Sequence, residues 1–420
     1  MRYACPLIIL LLFHFYSMNA QTKDRNLNSI LEKAYKLNPE LQMLNSEVKV
    51  AELNAIEESN LPDPVLGLGL NNLPVESFGF DTEPMTGKSI SLSQSFPFPG
   101  KLTSKEEMMK KDAEINKEKY KLSKLKLRKE IIDNYYSLSY QLKKLSLLNE
   151  KLNVFEALIP VVKTRYEVSE ASQQNLIQLQ LRISDIKEQI ANQQGKLDET
   201  RFVLEGLSGS EINNDLQTAL DSIVFPSPEK EKLYLAVKAN NPQLQQVELQ
   251  IAKANKLYDL SEYDFYPNFN ISLKYTQRDK LAATGINQND FLSASLGITL
   301  PLNYGGKNTA KLDKSLQIID QYKSLYHNLY LRVTIALNQA FSKMNTNVKR
   351  TKILNDTILL QANENYKSAL SAYQVGESEF TDVIESLNKL LNYEDELYSL
   401  KLENIKAITS IELMCGLNLL

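Results

Sequence analysis

The sequence predicts an α+β membrane protein built from two copies of one unit, each ordered helix, strand, strand, long helix, helix. Three observations predict it: an N-terminal export signal, an internal duplication, and four short segments in which apolar and polar residues alternate. Together they favour an exported chain in which strands, rather than helices, enter a membrane.

The composition excludes several function classes. The 420 residues carry 48 Lys and Arg against 51 Asp and Glu, so the basic excess of a dedicated nucleic-acid binder is lacking. Outside the first twenty residues only His327 and Cys415 remain of the two histidines and two cysteines. A Cys/His zinc site is therefore excluded, and a Ser-His-Asp triad would need His327, inside a predicted helix. We expect no enzyme activity, catalytic residue, metal, cofactor or nucleic-acid partner.

The first element, residues 1–20, has the features of a secretory signal peptide. Arg2 precedes an apolar run from Ala4 to Tyr16, and small or polar residues lead to Ala20, after which we expect cleavage. The apolar run is shorter than the ~20 residues of a membrane-spanning helix. No later segment is long and apolar enough, so the mature chain can enter a membrane only as β-structure.

The chain is duplicated. Asn38-Pro39-Glu40-Leu41 recurs 203 residues later as Asn241-Pro242-Gln243-Leu244. Tyr166-Glu167-Val168-Ser169-Glu170 recurs 207 residues later as Tyr373-Gln374-Val375-Gly376-Glu377. The increase of this offset from 203 to 207 residues indicates two copies of about 200 residues that differ by small loop insertions. We predict a first repeat over 21–207, a polar connector over 208–228 and a second repeat over 229–420.

Each copy is predicted to be mainly helical. The opening helices cover 26–60 and 228–264, and shorter helices over 176–206 and 379–414 end the copies. Between them, 307–375 contains neither Gly nor Pro, and 101–170 contains only Pro160. A helix of about 65 residues would be roughly 100 Å long, which indicates coiled-coil-like packing in a helical layer. Its expected seam is Ile319, Tyr322, Tyr326, Leu329, Val333, Ala336 and Ala340.

Four segments alternate with the period of a strand: 65–70, 89–96, 268–276 and 292–300. They form the predicted hairpins 64–97 and 267–301. One face is apolar and the other is rich in Ser, Thr and Asn, as in a membrane wall around a water-filled lumen. We expect the lumen face to include Ser91, Ser93, Ser272, Ser293 and Ser295, and the lipid face Ile90, Leu92, Ile271 and Leu296. A soluble half-buried sheet explains one such strand; four in an exported chain favour the wall.

Four strands cannot close into a transmembrane β-barrel, because the smallest known barrel has eight strands. An open sheet in lipid would leave edge groups unsatisfied, so several protomers must share one wall. The alternative is a soluble periplasmic coiled-coil adaptor or structural spacer. It would account for the signal and the long helices but not for the four alternating segments.

The sequence resembles the TolC-type outer membrane efflux protein family over essentially the whole mature chain. The resemblance rests on the duplicated order of elements and on four segments: Leu61-Pro62-Asp63-Pro64, Phe96–Lys101, Leu300–Lys307, and Tyr373–Glu377 followed by Asp382–Glu385. It implies a homotrimer in outer membrane lipid, in which a shared 12-strand β-barrel continues into a long periplasmic α-helical barrel. It also implies the role of exit duct of a tripartite efflux pump, with a periplasmic adaptor and an inner membrane RND or ABC pump. Type I secretion remains an alternative to small-molecule or metal efflux, and Met85-Thr86-Gly87 and the proline motifs resemble the branch that exports heavy metals.

The resemblance also implies three groups of site residues. The channel aperture would be formed by Asp382 and Glu385. The adaptor-docking tips are Tyr166, Val168, Ser169, Tyr373, Val375 and Gly376, and the sheet-to-helix passages are Pro97, Gly100, Pro301, Gly305 and Gly306. Because the first copy has Ser169 and Asn175 where the second has Gly376 and Asp382, an acidic role would not be symmetric between copies.

Overall fold

The computed structural model describes residues 25–169, 172–212, 219–221 and 223–420, so the expected signal peptide 1–20 lies outside the described residues. The first half contains α1 Arg25–Leu37, α2 Pro39–Ser59, β1 Val65–Asn71, β2 Gly87–Phe96, α3 Lys101–Glu167 and α4 Gln173–Ser208. The second contains α5 Lys230–Asn240, α6 Pro242–Glu262, β3 Asn268–Gln277, β4 Phe291–Thr299, α7 Lys307–Ile353, α8 Leu359–Gln374 and α9 Phe380–Cys415. The protein is mostly helical, with one small antiparallel sheet.

Each opening segment is two helices rather than the one predicted. Asn38 caps α2 by accepting a hydrogen bond from Leu41 N at 3.0 Å, and Asn241 caps α6 by accepting one from Leu244 N at 2.9 Å. The following proline occupies the first helical position, where no backbone N–H is needed, and disfavours helical geometry in the residue before it. The repeated Asn-Pro motif is therefore a helix break and a new helix start.

The two long helices differ. The first, α3, runs for 67 residues and includes Pro160. Its counterpart is divided into α7 and α8 by a π-helical turn, Leu354–Ile358. The turn widens the helix and shifts the side chains that follow it. Along α7 the packing seam also departs from the prediction, because Leu337 is buried where Ala336, which is exposed, was expected.

The four strands form one sheet in the order β1-β2-β3-β4, with every neighbouring pair antiparallel. The central β2–β3 pair joins the two halves of the chain. Leu92 lies opposite Leu273, and Leu273 lies opposite Ala294. Cross-strand partners project to the same side of a sheet, so this register collects the apolar residues of all four strands on one face.

The helices continue the order of the strands. Next to the sheet, α2 packs on α3, α3 on α6, and α6 on α7. Farther away, α4 packs on α3, α3 on α9, and α9 on α7 and α8. One edge of the protomer therefore carries β1, α2 and α4, and the other carries β4, α7 and α8. None of the helices in the described ranges is both long and apolar enough to cross a membrane.

Candidate functional site

The sheet has one polar and one apolar face. Ser91 lies opposite Lys274, which lies opposite Ser293, and serine or threonine occupies most other positions of this face. On β1 the same face carries Gly67 and Gly69, whose carbonyl oxygens accept hydrogen bonds from Ser91 Oγ (3.4 Å) and Ser89 Oγ (3.2 Å). A Cβ at Gly67 would lie 2.7 Å from Ser91 Oγ, so glycine leaves room for the hydroxyl.

The apolar face is uncovered in the protomer. Leu68 is 82% exposed and Leu292 is 77% exposed, and their neighbours Ile90, Leu92 and Ile271 are exposed as well. At ~25 cal/mol per Å² of apolar surface, covering this face would be strongly favourable. A contiguous exposed patch of this kind is typical of a surface that meets lipid or another protein.

The strands pass into the long helices through prolines and left-handed glycines. Pro97 follows β2, and Gly100, with φ +90°, caps α3. A Cβ at Gly100 would lie 2.6 Å from the hydroxyl of Tyr263, so a larger residue would have to displace the Tyr263 side chain. In the second copy Pro301 follows β4, and Gly305 (φ +65°) and Gly306 (φ +72°) precede α7. These positive φ angles favour glycine, and the chain turns here from sheet to helix.

Asp264, which the sequence reasoning missed, holds the two passages together. Its Oδ1 accepts a hydrogen bond from Lys101 Nζ at 2.8 Å, and its Oδ2 forms an ion pair with Lys311. Its carbonyl oxygen accepts a hydrogen bond from Asn308 Nδ2 at 2.8 Å. Burial acts to raise the pKa of the Asp264 carboxyl, but hydrogen bonds from the two lysines outweigh it and leave the pKa lowered. The signal available in the sequence was the pair of lysines in the first five residues of each long helix, which include Lys101 and Lys311.

At the far end of the helices the two tip turns have matching geometry. Ser169 has φ +62° and Gly376 has φ +84°. Ser169 N donates to Tyr166 O at 3.0 Å, and Gly376 N donates to Tyr373 O at 3.2 Å. Residues 170 and 171 lie outside the described residues. Val168 and Val375, the matching valines of the two turns, are both exposed.

The two tyrosines of the tips have different environments. Tyr373 is 2% exposed and packs 5.5 Å from the Phe380 ring, whereas Tyr166 is exposed. Burial raises the pKa of Tyr373, although the nearby Arg165 charge opposes this. Phe155, Val162, Leu179 and Val383 complete a core that ties the end of α3 and the start of α4 to the α8–α9 turn. The duplicated motif therefore produces one structural and one exposed tyrosine.

Asp382 and Glu385 lie in the first two turns of α9, three residues apart and both exposed. Asp382 forms a capping box with Glu379: each side chain accepts a hydrogen bond from the other's backbone N–H, and the bond from Glu379 N to Asp382 measures 3.3 Å. In the first copy Ser172 and Asn175 occupy the matching positions, with Ser172 Oγ 3.2 Å from Asn175 Oδ1. The acidic pair is thus particular to the second copy.

Within the described ranges, no group of three or more His, Cys, Asp or Glu residues could hold a metal ion. The features of this molecule are instead a two-faced sheet, a tight passage from sheet to helix and a packed helix tip.

Comparison with known proteins agrees with this geometry. Residues 233–417 match the family model described as outer membrane efflux protein. The fold is similar to the outer-membrane channel OprN, with a TM-score of 0.77 and 15% identity over 94% of this chain and 90% of that one. This match places the second half of the chain, residues 233–417, in the outer membrane efflux protein family.

Two further solved structures show the same fold. The outer membrane protein VceC of Vibrio cholerae gives a TM-score of 0.75 and 17% identity, covering 93% of this chain and 96% of that one. CusC, whose structures concern folding and transmembrane channel formation, gives 0.76 and 16%, covering 94% and 93%. A comparison of the sequence with curated proteins finds no match.

The family match of residues 233–417 and the similar channel structures confirm three predictions made from the sequence. The protein is located in the outer membrane and extends into the periplasm, it takes part in efflux, and it is not an enzyme. The alternative of a soluble periplasmic spacer is therefore wrong. That alternative also left the four strands unexplained, and the structure pairs all four in one sheet.

Proposed function

We propose that this protein is the exit duct of a tripartite efflux pump. In this proposal three protomers share a 12-strand β-barrel in the outer membrane, and their helices continue it as a long barrel in the periplasm. Cargo passes from a periplasmic adaptor and an inner membrane pump through this duct to the exterior.

The observation that supports the proposal most strongly is that two strands of the described sheet, β1 and β4, each have only one neighbouring strand. The described sheet leaves β1 and β4 as edge strands, and in lipid their unpaired backbone groups would each cost several kcal/mol. If β4 of one protomer pairs with β1 of the next, every strand gains its second neighbour and no edge remains. Three copies give an even number of strands within the range of known bacterial barrels.

The helical edges support the same head-to-tail contact. Next to the sheet, the edge helix α2 exposes Val50, Leu53 and Ile56, and the opposite edge helix α7 exposes Leu316 and Leu325. These apolar side chains lie on the two flanks that a ring of protomers would bring together. A head-to-tail contact of this kind closes into a ring when the rotation between neighbouring protomers is a whole fraction of a full turn.

Purified full-length protein in planar lipid bilayers tests the proposal directly. We expect a trimer by native mass spectrometry in detergent and discrete conductance steps after reconstitution. A monomer without conductance would refute the shared barrel.

We further propose that the adaptor docks at the exposed tips, on Val168 and Ser169 of one turn and on Val375 and Gly376 of the other. The turns expose a valine beside a small residue, which permits close approach of a partner helix. Photo-crosslinking in cells, with the crosslinker at residue 168 or 375, should capture a periplasmic protein. The control is the exposed Glu130 position, in the middle of α3. Capture mainly from position 130 would place the docking surface elsewhere.

A further inference from the structure

The described strands are almost free of ionisable side chains. None contains Asp, Glu, Arg or His, and the only lysines are Lys88 on β2 and Lys274 on β3. The register places them on opposite faces: Lys274 lies opposite Ser91 and Ser293, whereas Lys88 lies opposite Leu70. Lys274 is therefore the single charge on the serine-rich face of these strands.

Lys88 is neutralised within the protomer. Its Nζ lies 3.0 Å from Asp279 Oδ2 and 4.6 Å from the centre of the Phe80 ring. This pairing lies at the loop end of the sheet and accounts for a lysine beside an apolar face, because the charged end reaches a carboxylate and an aromatic ring.

Lys274 has no such partner. Its Nζ donates a hydrogen bond to the neutral side-chain oxygen of Asn71 at 2.7 Å, and no carboxylate of the described residues forms a salt bridge with it. The two acidic residues of the loop between β3 and β4 have other partners. Asp279 pairs with Lys88, and Asp290 accepts hydrogen bonds from Tyr275 and from Arg278 N. The polar face therefore carries one uncompensated positive charge per protomer.

The position along the wall is also defined. Lys274 lies three residues before the end of β3 at Gln277, which is about 10 Å at ~3.3 Å per residue. In a barrel with four strands per protomer, neighbouring copies of Lys274 lie about 19 Å apart along the wall, at ~4.8 Å per strand. That is about two Debye lengths at physiological salt, so the three ammonium groups act as separate positive charges.

We propose that Lys274 forms a lumenal ring of three positive charges that binds anionic groups near the outer end of the channel. This inference rests on the proposed function, because it needs the serine-rich face to line a lumen. Its ligands are carboxylate, phosphate or sulfate groups on the cargo or on small anions. Serine and threonine hydroxyls on the same face supply further donors. The ring favours passage of anionic cargo and opposes cations at this level.

Single-channel recordings of the full-length protein test the ring, with inositol hexakisphosphate as the probe anion. We expect the probe to block the wild-type channel from the side of the strand loops. Even in water, one charge pair in contact is enough to change the affinity of the probe about fivefold, so Lys274→Gln should weaken the block by at least about fivefold. The reversal potential in a salt gradient should also shift towards cation preference. Lys274→Arg should retain both properties, and Lys88→Gln, on the other face, should match wild type.

A cysteine variant separates the charge from the fold. Lys274→Cys modified with a cationic methanethiosulfonate should regain the block, and modification with an anionic reagent should not. Wild type is the control, because Cys415 is fully buried and burial raises the pKa of its thiol to about 12. If channels conduct but Lys274→Gln leaves block and reversal potential unchanged, the ring is refuted and the duct stands. If wild type gives no conductance, the duct itself fails.

Discussion

The guanidinium of Arg165 lies 4.6 Å from the ring centre of Tyr373 and donates a hydrogen bond of 2.6 Å to the Tyr373 carbonyl oxygen. Arg165 lies in the last turn of α3 in the first copy, and Tyr373 lies in the last turn of α8 in the second. A Cβ at Gly376 would lie 3.4 Å from Arg165 Nη2, so glycine permits this close approach. In addition to the apolar core at the tip, the Arg165 side chain thus joins the two halves of the chain by a polar contact.

Loss of this link should loosen the second tip turn. Arg165→Leu removes a charge-assisted hydrogen bond and a cation–π contact, worth together about 2–4 kcal/mol. We expect faster amide hydrogen exchange over 371–380, with the strands unaffected. Arg182→Leu is the matched control, because Arg182 is exposed and lies 3.7 Å from Asp185 on the same helix. Equal exchange in the Arg165 variant and in wild type would show that the link does not stabilise the turn.

The ion pairs of Asp264 should give the passage a pH dependence. Its lowered pKa means that the pairs stabilise the fold fully above the unfolded-state pKa of about 3.9. That stability is lost as the pH falls through the lower, folded-state pKa. Wild type should therefore lose thermal stability on acidification below about pH 4.

The variant Asp264→Asn isolates this contribution. At neutral pH it should be less stable by about 1–3 kcal/mol, and its melting temperature should fall less on acidification. Asp259→Asn is the control, since Asp259 is half-exposed and lies 3.5 Å from Lys256 within one helix. Melting followed by circular dichroism checks both expectations. Parallel acid curves for wild type and Asp264→Asn would contradict them.

The sequence predicted those elements of the fold that leave a regular pattern of residues along the chain. Alternation located the four strands to within two residues, because side chains of a strand project to opposite faces. The lack of Gly and Pro located the long helices. The repeated Asn-Pro motif was found but not interpreted as a break, although Asn before Pro is a common helix start.

Features that depend on contacts between distant segments were not predictable. Asp264 meets Lys101 across 163 positions of the chain, and Arg165 meets Tyr373 across 208. No periodic pattern encodes such pairs. The different burial of Tyr166 and Tyr373 is of the same kind, because two similar local motifs pack against different neighbours. The aperture and docking residues remain predictions, since each acts in an assembly of several chains.

The two faces of the sheet should respond differently to a charge. Arginine at Leu92, Ile271 or Leu296, on the apolar face, should destabilise the assembly by about 2–4 kcal/mol if that face meets lipid near mid-bilayer. Arginine at Ser93, Ser272 or Ser295, on the polar face, should cost much less. The fraction of trimer on native gels after extraction measures the difference. Equal losses in both sets would overturn the assignment of the faces.

The aperture prediction concerns Asp382 and Glu385. They are three residues apart on α9, about 4.5 Å along its axis, so three copies around an axis would form two stacked rings of carboxylates. Acidic rings select for cations in other pores. Asp382 also accepts the hydrogen bond from Glu379 N, and acids are favoured at helix starts by the helix dipole. The experiment must therefore separate a pore charge from a helix cap.

The double variant Asp382→Asn, Glu385→Gln makes this separation. Asparagine can accept the same backbone hydrogen bond, so the cap is retained while the charge is removed. If the rings line the aperture, cation preference in single-channel recordings should fall, and block by multivalent cations should weaken. Glu364→Gln, an exposed position on α8, controls for a general change of surface charge. The proposed Lys274 ring lies at the opposite end of the channel and has the opposite sign, so its variants should shift the reversal potential in the opposite direction and leave block by multivalent cations intact. Unchanged selectivity and block in the double variant would leave the two carboxylates as residues of a solvated helix start.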